Sequence, residues 1–573
     1  MRIAASWKGI FLANIVVPEN FSDDNCTNDL ATAKLNTLNK STGTSNKPAQ
    51  HLTQEIMASH LLLELLLQQW QLSTSNLILI AIVVSVVSVL LLRMNRRNSG
   101  LKLAPGPTRL PIVGNLHQIG HLPHRSLQAL SRRHGPVMML KLGMVPTVVL
   151  SSPEAAREAM KTHDADCSNR PDSPGPRLLS YGFRDIGFSP YSEYVREMRK
   201  LLISDMLCMR RVQAASYARE AQVEKLIENI TRMGRNAVDI NEHVFAAMDG
   251  IIGTFAFGET YAAQQFKEKF VDVINEAVVF LSSFSAEDFF PNAAGRLVDR
   301  LTGVAARREG IFMELDGFFE RIIDQYSDPA GRKNDDRSDL VHKLIDLWKM
   351  DGTTKRFTRD NVKAMLMNTF IGGNDSSSLT LHWAMAELMR NPRVLKKVQD
   401  EIRAIVGKKE RVRHDDVRKL KYLRMVVKET MRLHPPGTLL LPRETIRHIK
   451  LGGYDIPAKT KVIVNVWAIG RDPKVWKDPE ESCPDRFEEI DIDFNGAHFE
   501  LVPFGSGCRI CPGVAMAVLN MEFILANMLF CFNWELLEGM TKEDIDMEEA
   551  GGGLSVHKKT PLLLLAIRKY ITE

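Results

Sequence analysis

The chain has 573 residues, 45% of them hydrophobic and 25% charged, with a formal net charge of +5. This is an ordinary globular balance with ample material for a core; the charge is too diffuse for a nucleic-acid binder and better suits an anionic membrane surface or an acidic protein partner. Seven scattered cysteines, an odd number, exclude a disulfide framework and place the bulk of the chain in a reducing compartment.

Residues 1–56 are polar, carry the sequons Asn25-Cys26-Thr27 and Asn39-Lys40-Ser41, and show no strong periodicity. They read as a disordered tail or an over-extended start, with Met57 a natural beginning. Residues 57–97 are expected to form a membrane anchor. Leu77 to Leu92 is uncharged, with Ser85 and Ser88 its only polar residues, and leucine-rich Leu61 to Trp70 extends it toward the ~20 residues of a spanning helix. Arg93, Arg96 and Arg97 follow at once and hold that end in the cytosol by the positive-inside rule. Residues 98–117, with Pro105, Pro107 and Pro111, cannot continue a helix and read as a stiff hinge.

No Pro/Gly/Ser-rich linker divides residues 118–573, so one large domain is expected. Long apolar-periodic runs, such as Val362 to Leu388 and Val417 to Leu433, predict helices. Strand-like pieces cluster at two places: Val137 to Leu142 with Thr147 to Leu150 around Gly143, and Ile446 to Leu451 with Lys461 to Val466 through Gly452-Gly453. Asp328 to Asp339 reads as an exposed loop between helices. The predicted fold class is mainly α with small β-sheets.

The sharpest local feature is the stretch from Pro503 to Gly513, PFGSGCRICPG, which runs into the apolar stretch Val514 to Phe530. The second stretch is apolar nearly all round and predicts a buried helix. Pro512 suits a first helical turn, which puts Cys511 at a helix N-terminus, where the macrodipole and free N–H groups favour a thiolate. Cys508-x-x-Cys511 alone also fits half a zinc site, a redox pair or two core cysteines. No second Cys/His pair stands at zinc-site spacing, and no thioredoxin-like strand precedes it.

The segment as a whole matches F-x-x-G-x-R-x-C-x-G at Phe504, Gly507, Arg509, Cys511 and Gly513. It resembles the haem signature of the cytochromes P-450, and the chain is similar, from about residue 100 to 570, to the large plant microsomal group of that family. Other pieces follow in the family's order. Glu429-Thr430-Met431-Arg432 resembles its E-x-x-R helix, and Cys483 to Phe487 its P-E-R-F segment, with Asp485 in place of glutamate. Gly372-Gly373-Asn374-Asp375-Ser376 resembles its oxygen-binding motif, with Ser376 in place of threonine. Tyr191 to Lys200 resembles its W-R-x-x-R helix, with Val195 in place of tryptophan.

The resemblance implies a cytochrome P-450 fold, a single haem domain behind the anchor, with haem b on the thiolate of Cys511 as axial ligand. It further implies propionate contacts from Arg509, Arg199 and Arg443. Glu429, Arg432 and Arg486 would form a buried ion network. Gly373 would open room for dioxygen, and Asp375 with Ser376 would relay protons. Phe370, Gly372, Gly373, Leu439, Leu440, Leu441 and Leu554, with Leu178 to Phe188, would face a lipophilic substrate. The implied activity inserts one oxygen atom from O2 into a small molecule; which one does not follow from the resemblance, and the apolar bias of those residues suggests a terpenoid first and an aromatic or indolic metabolite second. No dinucleotide fingerprint lies in the chain, so electrons are expected from an NADPH-dependent flavoprotein reductase, with cytochrome b5 as a second donor. The expected location is the endoplasmic reticulum membrane, single-pass, with a cytosolic catalytic domain. A haem–thiolate isomerase or dehydratase independent of O2, and a degenerate non-catalytic haem binder, are the alternatives.

Overall fold

The computed structural model describes residues 74–96, 100–258, 267–282, 285–327, 339–350, 357–551 and 554–569. The tail expected at residues 1–56 and most of the loop expected from Asp328 to Asp339 lie outside them. The chain divides into two units, Met1–Leu101 and Lys102–Glu573. In the first, a run free of Gly and Pro and uncharged up to Leu92 forms helix α1, Thr74–Arg96, 23 residues and about 34 Å long. Every large apolar side chain from Ile78 to Val89 is exposed on it.

The second unit is built mainly of helices. Those that position the site are α2 (Glu193–Leu201), α3 (Ile240–Phe257), α4 (Arg359–Gly373), α5 (Asp375–Arg390), α6 (Lys421–Leu433) and α7 (Val514–Cys531). α3 packs on both α4 and α5, and α5 packs on α6 and α7. α7 is long and apolar enough to cross a membrane by composition, yet 72% of it is buried, which makes it a core helix.

The periodic run Val362 to Leu388 is interrupted by the two glycines and three serines of Phe370 to Ser378, which predict a kinked or broken helix, and the structure divides it at Asn374 (φ −82°, ψ −63°) into α4 and α5. The cause is local. Gly372 and Gly373 are weak helix formers, and the hydroxyls of Ser376 and Ser378 donate back to the carbonyls of Gly372 (2.9 Å) and Asn374 (2.8 Å). The run Val417 to Leu433 is also split: Val417 ends a separate turn, and α6 begins at Lys421.

The strands are β1 (Val137–Leu142), β2 (Val145–Leu150), β3 (Val238–Asp239), β4 (Arg443–Glu444), β5 (Ile449–Leu451), β6 (Tyr454–Ile456), β7 (Lys461–Val464), β8 (Phe532–Glu535) and β9 (Leu563–Arg568). They form sheets of order β1-β2-β7-β4, β3-β9-β8 and β5-β6. β1 and β2 pair as expected, antiparallel around Gly143. The expected pairing of Ile446 to Leu451 with Lys461 to Val466 does not occur. Gly452 and Gly453 both have positive φ (56° and 76°), the requirement of a two-residue hairpin, so β5 turns straight onto β6. β7 instead lies parallel to β2.

Candidate active site

The loop before α7 is held from both sides. Gly505 and Gly507 adopt positive φ (71° and 69°). A side chain at Gly507 would run into the carboxylate of Asp164. That carboxylate accepts the Cys508 N–H (2.6 Å) and the Arg443 guanidinium (2.9 Å). The Cys511 N–H closes the loop on the Phe504 carbonyl (2.9 Å), and the Phe504 ring packs edge-on against Phe494. Cys508 is paired with the Ser168 hydroxyl at 2.7 Å.

Helix α7 starts at Val514 with Gly513 as its cap, so Pro512 is not in the first turn and Cys511 stands two residues before the cap. Burial pushes the Cys511 thiol above its ordinary range; the Gly513 N–H and the charge of Arg199 pull the other way without prevailing. The helix-terminus argument from sequence therefore does not by itself yield a free thiolate. A sulfur held this way would release its proton when a metal cation binds it, not in the free chain.

Around it lie four arginines. Arg199, on α2, donates to the Ile510 carbonyl. Arg509 donates to the carbonyls of Ser168 (2.9 Å), Ile186 (3.2 Å) and Ser189 (2.7 Å). Arg443 donates to Ser506 O (2.7 Å) as well as to Asp164. Arg170 donates to Gly187 O, Leu441 O and Pro442 O at 2.7–2.8 Å. Burial, then the charges of Arg509 and Arg443, push Arg170 far below its ordinary value, and burial with Arg199 brings Arg509 down to about 10. The carboxylates facing the group are Asp164 and Asp185, and Asp185 is fully buried under hydrogen bonds from Gly187, Phe188, Ser189 and Asn368. Burial raises Asp185 all the same. Four buried guanidiniums against two carboxylates leave positive charge for an anion to neutralise. The residues fit haem: sulfur for the iron, guanidiniums for the propionates. Arg170 was not found from sequence; a lone arginine before Pro171 carries no signal.

The wall formed by α4 differs from expectation in two places. A Cβ on Gly373 would stand 2.8 Å from Ile252 Cδ1, so Gly373 lets α4 approach α3. It is Gly372 that faces open space, with nothing within 4 Å of a Cβ placed there. Phe370, expected to face substrate, is 1% exposed and stacks on Phe257 with Phe270 edge-on, both at 5.1 Å. Two residues from Gly372 on a helix is about 200°, the opposite face. Leu439, Leu440, Leu441 and Leu554 are half-buried, Leu440 at φ 52°. In the Leu178 to Phe188 segment, Leu179 and Ile186 are core residues, and Asn368 of α4 accepts the N–H groups of Ile186 and Gly187 (3.2 and 3.1 Å).

Asp375 and Ser376 are adjacent in sequence but turn to different partners. Ser376 donates to Gly372 O, and Asp375 Oδ1 meets His557 Nε2 at 3.1 Å. Val556 to Lys559 is one of the stretches similar to the plant group, but nothing in the sequence marks His557 for this contact, which the C-terminal segment brings in.

Below the site, Arg432 and Glu429 pair bidentately (2.7 and 2.8 Å), and Arg486 Nε joins at 3.1 Å. Asp485 lies outside this network and binds Lys397 and the Tyr422 hydroxyl. Val195 is 1% exposed, a core residue.

A family model described as Cytochrome P450 matches residues 104–565. The chain is 55% identical to 4-hydroxyphenylacetaldehyde oxime monooxygenase of Sorghum bicolor, over 87% of this chain and 95% of that protein. It is 48% identical to 2-methylbutanal oxime monooxygenase of Manihot esculenta, over 85% and 96%. Among solved structures, a zebra fish cytochrome P450 with abiraterone aligns at TM-score 0.65 and 23% identity, covering 78% of this chain and 100% of that one.

Proposed function

Because the chain belongs to the cytochrome P450 family, and so is a monooxygenase whose cofactor is haem on a cysteine thiolate, we propose that Cys511 is that ligand and that an oxime is oxidised above it. The observation that carries the assignment is the cradle of Cys511: a half-buried sulfur behind two left-handed glycines, with the Gly513 N–H aimed at it and surplus guanidinium charge beside it. Haem, when bound, supplies dioxygen activation and one-electron chemistry. Arg170, Arg199, Arg443 and Arg509 hold its propionates. Gly372, Leu439, Leu440, Leu441 and Leu554 shape the apolar space over it. Asp375 and Ser376 carry protons into that space.

The two relatives named for oximes of small aldehydes support an oxime over the terpenoid that composition suggested. Electrons come from an NADPH-dependent flavoprotein reductase or from cytochrome b5. The exposed apolar side chains of α1 from Ile78 to Val89, on a helix of 23 residues, support a single-pass anchor in the endoplasmic reticulum membrane. The test is the absorption spectrum of the reduced, carbon-monoxide-bound protein beside Cys511→Ala, followed by titration with 4-hydroxyphenylacetaldehyde oxime and a monoterpene alcohol. A red-shifted Soret band lost in the variant, and a spin-state shift with the oxime alone, are expected. A band unchanged by the substitution removes Cys511 as the ligand; a shift with the terpene alone restores the terpenoid reading.

A further inference from the structure

Asp375 opens α5 with its side chain 13% exposed, while its partner His557 is 43% exposed on the C-terminal segment. The pair therefore joins the protein interior to solvent. Its histidine is held on fixed backbone: Val556 N–H donates to Pro436 O (3.1 Å), Trp383 Nε1 donates to Val556 O (3.2 Å), and His557 O accepts the Ala550 N–H (2.8 Å). Asp375 Oδ2 is buried and makes no hydrogen bond of its own among the described residues. Ser376 is meanwhile engaged with Gly372 O, so nothing in this arrangement links the carboxylate to the hydroxyl.

We propose that His557 is a positioning residue for oxygen insertion, holding the Asp375 carboxylate off Ser376 and handing it protons drawn from solvent. The step is a proton transfer. The His557 Nε2–H bond breaks and an Asp375 Oδ1–H bond forms. The two charges vanish together, and neutral Asp375 is released to turn toward Ser376. Neutral His557 then takes a proton from water. This rests on the reading of Asp375 as a proton carrier.

The electrostatics favour the charged pair, the resting state from which the transfer starts. Burial works against the Asp375 carboxylate, but the hydrogen bond and charge of His557, helped by the Ser555 hydroxyl, hold it below the usual range. Burial likewise works against the His557 charge, and the hydrogen bond and charge of Asp375 outweigh it and raise the imidazole. The other titratable groups nearby are His382 on α5, which burial and Lys558 hold down at about 4, and Lys558, which donates to Thr560. His382 thus stays neutral where His557 titrates. A raised histidine gives its stabilisation below its unfolded pKa and loses it as pH rises through the folded one.

The test uses the holoenzyme with reductase, and His557→Gln, His557→Ala and Asp375→Asn variants matched for haem content. Coupling (product formed per NADPH consumed) and melting temperature are followed from about pH 6 to about 8.5. In wild type, coupling should fall as pH rises. His557→Gln and His557→Ala should each be several-fold less coupled with a flat profile. The melting-temperature difference between wild type and His557→Gln should shrink as pH rises. A His557→Gln enzyme with wild-type coupling and pH profile overturns the inference, and if Asp375→Asn is then uncoupled the role of Asp375 stands. Wild-type coupling in Asp375→Asn overturns both.

Discussion

Replacing Arg432 by methionine tests what holds the floor of the site. The side chain is fully buried and makes five hydrogen bonds of 2.6–3.0 Å: two to Glu429, and one each to the carbonyls of Gly470, Pro479 and Glu481. Methionine fills much of the volume but strands a carboxylate that is 1% exposed. Removing one partner of a buried pair costs about 3–5 kcal/mol. The lower end applies, since Arg486 and the Cys483 N–H (2.8 Å) still reach Glu429. The Glu481 carbonyl keeps a long contact from Arg486 (3.3 Å), but the carbonyls of Gly470 and Pro479 lose the bonds Arg432 gave them, at roughly 1 kcal/mol each. The sum is about 5 kcal/mol, between three and four orders of magnitude in the folded-to-unfolded ratio and comparable to the whole stability of many domains. Arg432→Lys keeps the charge but not the planar fork, and should lose about 2 kcal/mol. Urea titration followed by circular dichroism, at equal haem loading, measures both. A loss below about 1 kcal/mol for Arg432→Met refutes the claim that this network carries the fold here.

The two glycines of α4 should separate cleanly. Gly373→Ala presses on Ile252 and should destabilise by about 1–3 kcal/mol, whereas Gly372→Ala meets open space and should gain up to about 1 kcal/mol; equal thermal shifts would contradict the packing. Phe370→Ala opens a cavity under Phe257 and Phe270 and should cost about 3–5 kcal/mol in chemical denaturation; a small loss with altered oxime affinity would return Phe370 to the substrate wall. Glu549 is held down at about 2, burial being outweighed by hydrogen bonds and charge from His124 (3.0 Å) and Arg125 (2.6 Å). Its stabilisation is complete above the unfolded pKa near 4.5 and is lost as pH falls through about 2, a swing of about 3 kcal/mol. Acid unfolding of Glu549→Gln should lack that component, and parallel wild-type and variant curves would count against it.

What could be read ahead of the structure was what is local. The Phe504 to Gly513 segment is contiguous, and Glu429 and Arg432 are three residues apart on one helix face, so spacing alone brings each set together. The break at Asn374 was foreshadowed by weak helix formers on both sides of it. What sequence distance hides was lost. β7 joins β2 across some three hundred residues, and Arg170 and His557 reach the site from segments whose composition marks nothing. Phe370 and Gly373 were misplaced for another reason: motif position says which residues are special but not which side of the helix meets the neighbouring one.

The surplus guanidinium charge around Arg170 has a consequence for how the enzyme comes to exist. A newly made chain without its cofactor carries like charges held together in its interior, a standing repulsion that the propionates of a bound haem would relieve. Cofactor supply would then act as a stabilising ligand of the native state, and the fraction of chains that survive quality control in the cell should track haem synthesis as much as translation.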